Sequence, residues 1–131
     1  MFLTLSSAVA FGVGSLAVAL PQVLLESKGV AVPNAAAAVW VREVGVAILA
    51  LGVILFLVRR HADSPTLRCF FLGNAIVHLG LLPVELAAYQ DGVLAHVAGI
   101  IPNSVLHVLC ASGFLVYAAT MRVTPAVREL T

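Results

Sequence analysis

Four stretches of this 131-residue chain contain no Asp, Glu, Lys or Arg: Met1 to Leu25, Val44 to Val58, Cys69 to Val84 and Gly92 to Met121. With their flanks, such runs reach the roughly 20 residues that a helix needs to cross a bilayer. Inside hydrocarbon every backbone N–H and C=O must be satisfied within the protein, which leaves helices or closed barrels. Barrel strands alternate polar with apolar residues, whereas these runs are unbroken. The sequence therefore predicts an all-α integral membrane protein, an up-and-down bundle of four transmembrane helices forming one domain over residues 1–131. Hydrophobic residues at 62%, charged residues at 10% and a mean hydropathy of +1.11 exclude a nucleic-acid binder, a disordered tail and a disulfide scaffold.

The predicted spans are 2–25, 35–58, 66–88 and 103–121, with a short interfacial helix over 93–100. Residues 1–25 resemble a secretory signal but lack a positive leader, the first basic residue being Lys28, so they read as a retained helix. Pro21 kinks its far end, and Pro33-Asn34 closes the first loop. Trp40 and Tyr89 mark interfacial depths. Pro102 divides the long run 92–120, and Asn103 or Ser104 caps the last span; one Pro-kinked helix is the alternative. Cys69 and Cys110 have no paired spacing and read as small buried hydrophobes. Residues 122–131 are a short polar tail without an assigned role.

In lipid, helices associate through close backbone approach, so small residues locate the contacts. Gly45 and Gly52, Gly73 and Gly80, and Ala111 and Ala118 each recur at seven residues, the seam of a left-handed bundle, and Ala10 with Gly14 supplies a shorter pair. Small residues on several faces point to self-association or to a larger membrane complex, with the lipid bilayer as the common partner and no nucleic acid.

Charged groups at membrane depth are expensive and are directed at the bundle interior, a cleft or the headgroups. At about 1.5 Å per residue, Arg42 lies about 9 Å down its span, Glu85 about 5 Å and His107 about 6 Å. Arg42, Glu43, Glu85, Asn103 and His107 are thus the candidate polar cluster, with Arg42 pairing Glu85, or with Glu43 neutralising Arg42 at the headgroups. Asn74 and His78 are secondary polar positions, with the neutral His78 imidazole hydrogen-bonded to Asn74 or to a neighbouring helix. Asn74-Ala-Ile-Val-His78 and Asn103-Ser-Val-Leu-His107 are a near-repeat on successive, oppositely directed spans, the arrangement of an inverted repeat. Two histidines on neighbouring helices raise bis-histidine haem. A depth of about 15 Å for His78 against about 6 Å for His107 argues against it, so no cofactor and no metal site is expected.

In outline the chain resembles small four-span membrane proteins such as the DoxX-like, EXPERA and small multidrug exporter families. The carboxylate that the exporters need in their first span is absent from Phe2 to Leu25, and Trp40 is the one tryptophan against the EXPERA pattern. Nor does Arg42-Glu43-Val44-Gly45 supply the Arg- and Asn-rich motif of microsomal glutathione transferases. Two functional classes follow. The first is a noncatalytic membrane component, an accessory subunit or a binder of lipid or another hydrophobic ligand. The second is a small membrane enzyme or proton-coupled carrier, with Glu85 and His107 as an acid/base pair and Arg42 positioning an anion.

Four spans put both termini and the middle loop on one side, with Arg59, Arg60, Arg68, Arg122 and Arg128 there and Lys28 and Arg42 opposite. Cytoplasmic retention of basic residues then places both termini in the cytoplasm. Reporter fusions at Thr131 are expected to show cytoplasmic activity and fusions at Gly29 periplasmic activity; the reverse pattern would refute the orientation.

Overall fold

A computed structural model describes residues 1–30 and 34–122. Pro33 and the tail beyond Arg122, including Arg128, lie outside the described residues. The secondary structure is helical: α1 Phe2–Ala19, α2 Pro21–Ser27, α3 Ala35–Val58, α4 Pro65–Gln90, a 3-10 turn Val97–Gly99 and α5 Ile101–Thr120. Four helical segments, α1, α3, α4 and the 3-10 turn continued into α5, are long and apolar enough to cross a membrane.

Local chemistry sets the helix ends. Asn34 accepts the Ala37 N–H at 2.8 Å to cap α3, and Ser64 accepts the Leu67 N–H at 3.1 Å to cap α4, ahead of Pro65 in the first helical position. The helix predicted over 2–25 is in fact two. Pro21 disfavours helical geometry in the residue before it, and Leu20 sits at φ −130°, ψ 56°, so the chain breaks and restarts as α2. The interfacial helix predicted over 93–100 is also absent. Leu94 pairs with Val30 in an isolated antiparallel bridge, and only Val97–Gly99 turns helically. Helix α5 begins at Ile101 without a side-chain cap, so Asn103 and Ser104 are free for other bonds.

The helices pack as two antiparallel pairs, α1 with α3 and α4 with α5. Small residues let α1 and α3 touch backbone to backbone: a Cβ on Gly45 would lie 2.9 Å from the Ala17 Cβ and 3.1 Å from the Gly14 carbonyl. Ser7 Oγ, fully buried, donates across the same seam to the Gly52 carbonyl at 2.8 Å. In contrast, Gly73 and Gly80 have open space where a Cβ would stand, so their seven-residue spacing marks no contact in this fold. Ala111 and Ala118 are buried, as is Cys110, while Cys69 is exposed, contrary to expectation.

The two pairs are joined at both ends. Near the chain termini, Phe2 of α1 meets Phe114 of α5 edge-on at 5.1 Å and stacks on Tyr117 at 5.4 Å, with Phe71 of α4 edge-on to Tyr117 at 5.8 Å. Leu3, Leu55 and Leu67 bury around these rings, so every long helix contributes to this knot. At the far end, the Ala95 N–H donates to the Gly29 carbonyl at 2.9 Å, and Gly29 takes the φ of +79° that this turn demands. Gly99 abuts the Lys28 backbone so closely that a Cβ would overlap the Lys28 carbonyl.

Gly45→Leu is expected to lose about 1–3 kcal/mol through overpacking against Ala17 and Val18, whereas Gly73→Leu leaves stability within about 0.5 kcal/mol. Thermal unfolding in mild detergent compares the two; equal losses would contradict the pairing of α1 with α3.

Candidate functional site

Between the two ends the pairs do not close on each other, and a cavity of about 450 Å³ lies between them. Its α1 and α3 walls are almost wholly apolar, with Val9, Val13, Val44, Ile48 and Leu51 as the main surfaces. The α4 and α5 walls carry Asn74, His78, Glu85, Asn103 and His107, and Lys28 stands at the far end. One side of the space is thus oily and the other hydrogen-bonding.

Glu85 organises the polar side. Its side chain is 11% exposed, and a carboxylate so withdrawn from water must collect donors. Lys28 Nζ lies 3.4 Å from Oε1, Ser104 Oγ donates to Oε2 at 2.9 Å, and Asn103 Nδ2 donates to Oε1. Three elements therefore meet on one side chain: Lys28 follows α2, Glu85 belongs to α4, and Asn103 and Ser104 lie in the first turns of α5.

From Glu85 the bonding runs into the cavity. Asn103 Nδ2 also faces His107 Nε2 at 3.0 Å, one helical turn along α5. His107 Nδ1 meets His78 Nδ1 at 2.9 Å, and Phe114 stacks on the His78 ring at 5.8 Å, 15° from parallel. The pairs Glu85–Asn103, His78–His107 and Phe71–Phe114 share one antiparallel register of α4 and α5.

That register corrects the depths read from the sequence. Those assumed that the third span's end and Asn103 lie level, but residues 91–100 fill the layer beside the end of α4, and Asn103 stands opposite Glu85. Setting Asn103 opposite Glu85 removes about half of the depth difference between His78 and His107, and the two rings reach across the rest to bond each other, so depth does not keep them apart. In a bis-histidine haem the ligating nitrogens stand on opposite sides of iron, whereas here they bond directly.

The structure brings together Glu85, Asn103, His107 and His78, and leaves Arg42 and Glu43 out. Arg42 Nε donates to the Val18 carbonyl at 3.3 Å, near the end of α1, where Pro21 leaves helix carbonyls without intrahelical donors. Glu43 is exposed on α3. The cation beside Glu85 is Lys28, which lies in a predicted loop, and Ser104, a predicted cap, donates to the same carboxylate. Asn74 is buried and donates to the Phe70 carbonyl at 2.9 Å, so it bonds its own helix rather than His78. The Nδ1-to-Nδ1 bond joins like atoms of the two Asn-x-x-x-His segments, but only the α5 copy turns its Asn toward its His.

No protein-family model, curated protein or solved structure matches the chain.

In a double-mutant cycle, Lys28→Met with Glu85→Leu is expected to show a coupling of about 1 kcal/mol, modest because Lys28 keeps 32% of its side chain exposed. Arg42→Met with Glu85→Leu is expected to be additive within about 0.5 kcal/mol. Thermal stability in detergent reads both, and coupling through Arg42 instead of Lys28 would overturn the assignment.

Proposed function

We propose that this protein is an integral membrane protein, an up-and-down bundle of four spans, that binds a small, mainly apolar molecule in the cavity between its helix pairs. The observation that carries the reading is the cavity itself. A volume of about 450 Å³ with one apolar wall and a few convergent polar groups has the size and lining of a small-molecule site. The apolar wall supports a hydrophobic ligand body, and the bonded polar set supports orientation of one end.

The polar set favours binding over chemistry. Glu85 is engaged on both oxygens and neutralised by Lys28, so it offers neither a base nor a vacant counter-charge. The Asn103 amide stands between the Glu85 carboxylate and the His107 imidazole, and an amide donor does not pass a proton from one to the other. This weighs against the acid/base pair of the enzyme or carrier reading. A noncatalytic binding component, acting alone or within a larger membrane complex, accords with both features.

Native mass spectrometry of protein released from mild detergent is expected to show a retained small apolar molecule. Val13→Trp combined with Ile48→Trp, which fills the apolar wall, is expected to lose it while remaining folded. Absence of any retained molecule, together with no thermal stabilisation by added apolar compounds, would refute the reading.

A further inference from the structure

We infer that the ligand of this cavity is uncharged and presents a hydrogen-bond acceptor, a carbonyl-type oxygen, to Nε2 of His78; this rests on the cavity being a binding site. The chain of bonds dictates which nitrogens carry protons. Glu85 is accepting from Lys28 and Ser104, and the group of Asn103 that faces it is the amide nitrogen, whose second hydrogen faces His107 Nε2. His107 Nε2 therefore accepts, and its proton resides on Nδ1. That Nδ1–H donates to His78 Nδ1 at 2.9 Å, which leaves the proton of His78 on Nε2.

Any other arrangement sets two N–H groups against each other. A proton on both nitrogens of His107 would oppose the Asn103 N–H, and a donating His78 Nδ1 would move the His107 proton to Nε2, with the same clash. Two neutral rings of opposite tautomer satisfy every contact.

His78 is half-buried and lines the cavity, with Phe114 stacked on its ring and its Nδ1 already bonded. Its Nε2–H makes no hydrogen bond to the described residues. In a cavity whose lining also includes Val77, Leu81 and the apolar α3 wall, a donor without a partner favours a ligand that supplies an acceptor. The charge balance narrows the class further. Lys28 and Glu85 cancel, and both Glu85 oxygens are occupied, so neither an anion nor a cation finds a counter-charge at mid-cavity.

Two matched probes separate the possibilities: 2-acetylnaphthalene, and 2-isopropenylnaphthalene, in which CH₂ replaces the carbonyl oxygen. Binding to the full chain in detergent is followed by ligand fluorescence. The ketone is expected to bind about three- to tenfold more tightly than its hydrocarbon isostere, the range of one net hydrogen bond. In His78→Phe the preference for the ketone over the hydrocarbon is expected to vanish. Equal affinities in the unaltered protein, or a preference that survives His78→Phe, would overturn the inference and leave the cavity reading intact. Failure of both probes to bind would overturn the cavity reading and the inference with it. Independently of any variant, assigned ¹⁵N spectra of histidine-labelled protein are expected to show, among the four histidines, His107 protonated at Nδ1 and bonded and His78 protonated at Nε2; the same tautomer in these two rings would refute the proton assignment.

Discussion

A carboxylate withdrawn from water among apolar helices has to gather donors, and Glu85 gathers Lys28, Asn103 and Ser104 from two other parts of the chain. Much of the far end follows from that requirement. Lys28 is held in place because α2 carries the chain there after the break at Leu20, and because Gly99 lets residues 97–99 lie against its backbone. Asn103 and Ser104 reach the carboxylate because α5 starts at Ile101 and leaves them uncommitted to capping. Removing the carboxylate would release all three partners and the orientation of Asn103 on His107.

The cavity is a consequence of how the helices pair. Gly14 and Gly45 bring α1 and α3 into backbone contact, Gly52 lets Ala10 and Phe11 lie against α3, and the His78–His107 and Phe71–Phe114 contacts bring α4 against α5. The pairs then meet through large aromatic rings at one end and through Lys28–Glu85 and the Gly29–Ala95 bond at the other. Side chains between these two clamps are of intermediate size, Val9, Val13, Ile48 and Leu51, and they do not bridge the distance that the clamps impose. An apolar space with a hydrogen-bonded wall is what remains.

Sequence reasoning reached the helical class and four apolar helices, because long uncharged runs admit few other ways of satisfying a backbone. The α3 bounds, Ala35–Val58, were legible from Asn34 and from the charge at Arg59. Glu85, Asn103 and His107 could be singled out because polar residues in such runs are few. Lys28 was discoverable as well, being one of only two basic residues in the half of the sequence pattern opposite the termini, but it falls in a predicted loop, whereas Arg42 falls inside a predicted span where a charge is expensive.

Which groups meet was decided only by tertiary structure. Depth along a helix follows from residue count alone only when the turns are known, and two were irregular: the break at Leu20 and the bridged, largely non-helical stretch 91–100. The first sent Lys28 to Glu85 and left a carbonyl for Arg42; the second lowered Asn103 by about a turn and brought the His107 ring within bonding reach of His78. Likewise, identical glycine spacings in α3 and α4 had opposite fates, one seam filled by α1 and the other open. Hydrophobicity and small side chains dictate that helices form and can approach. They are indifferent to which face finds a neighbour, since that depends on long-range geometry that no local pattern encodes.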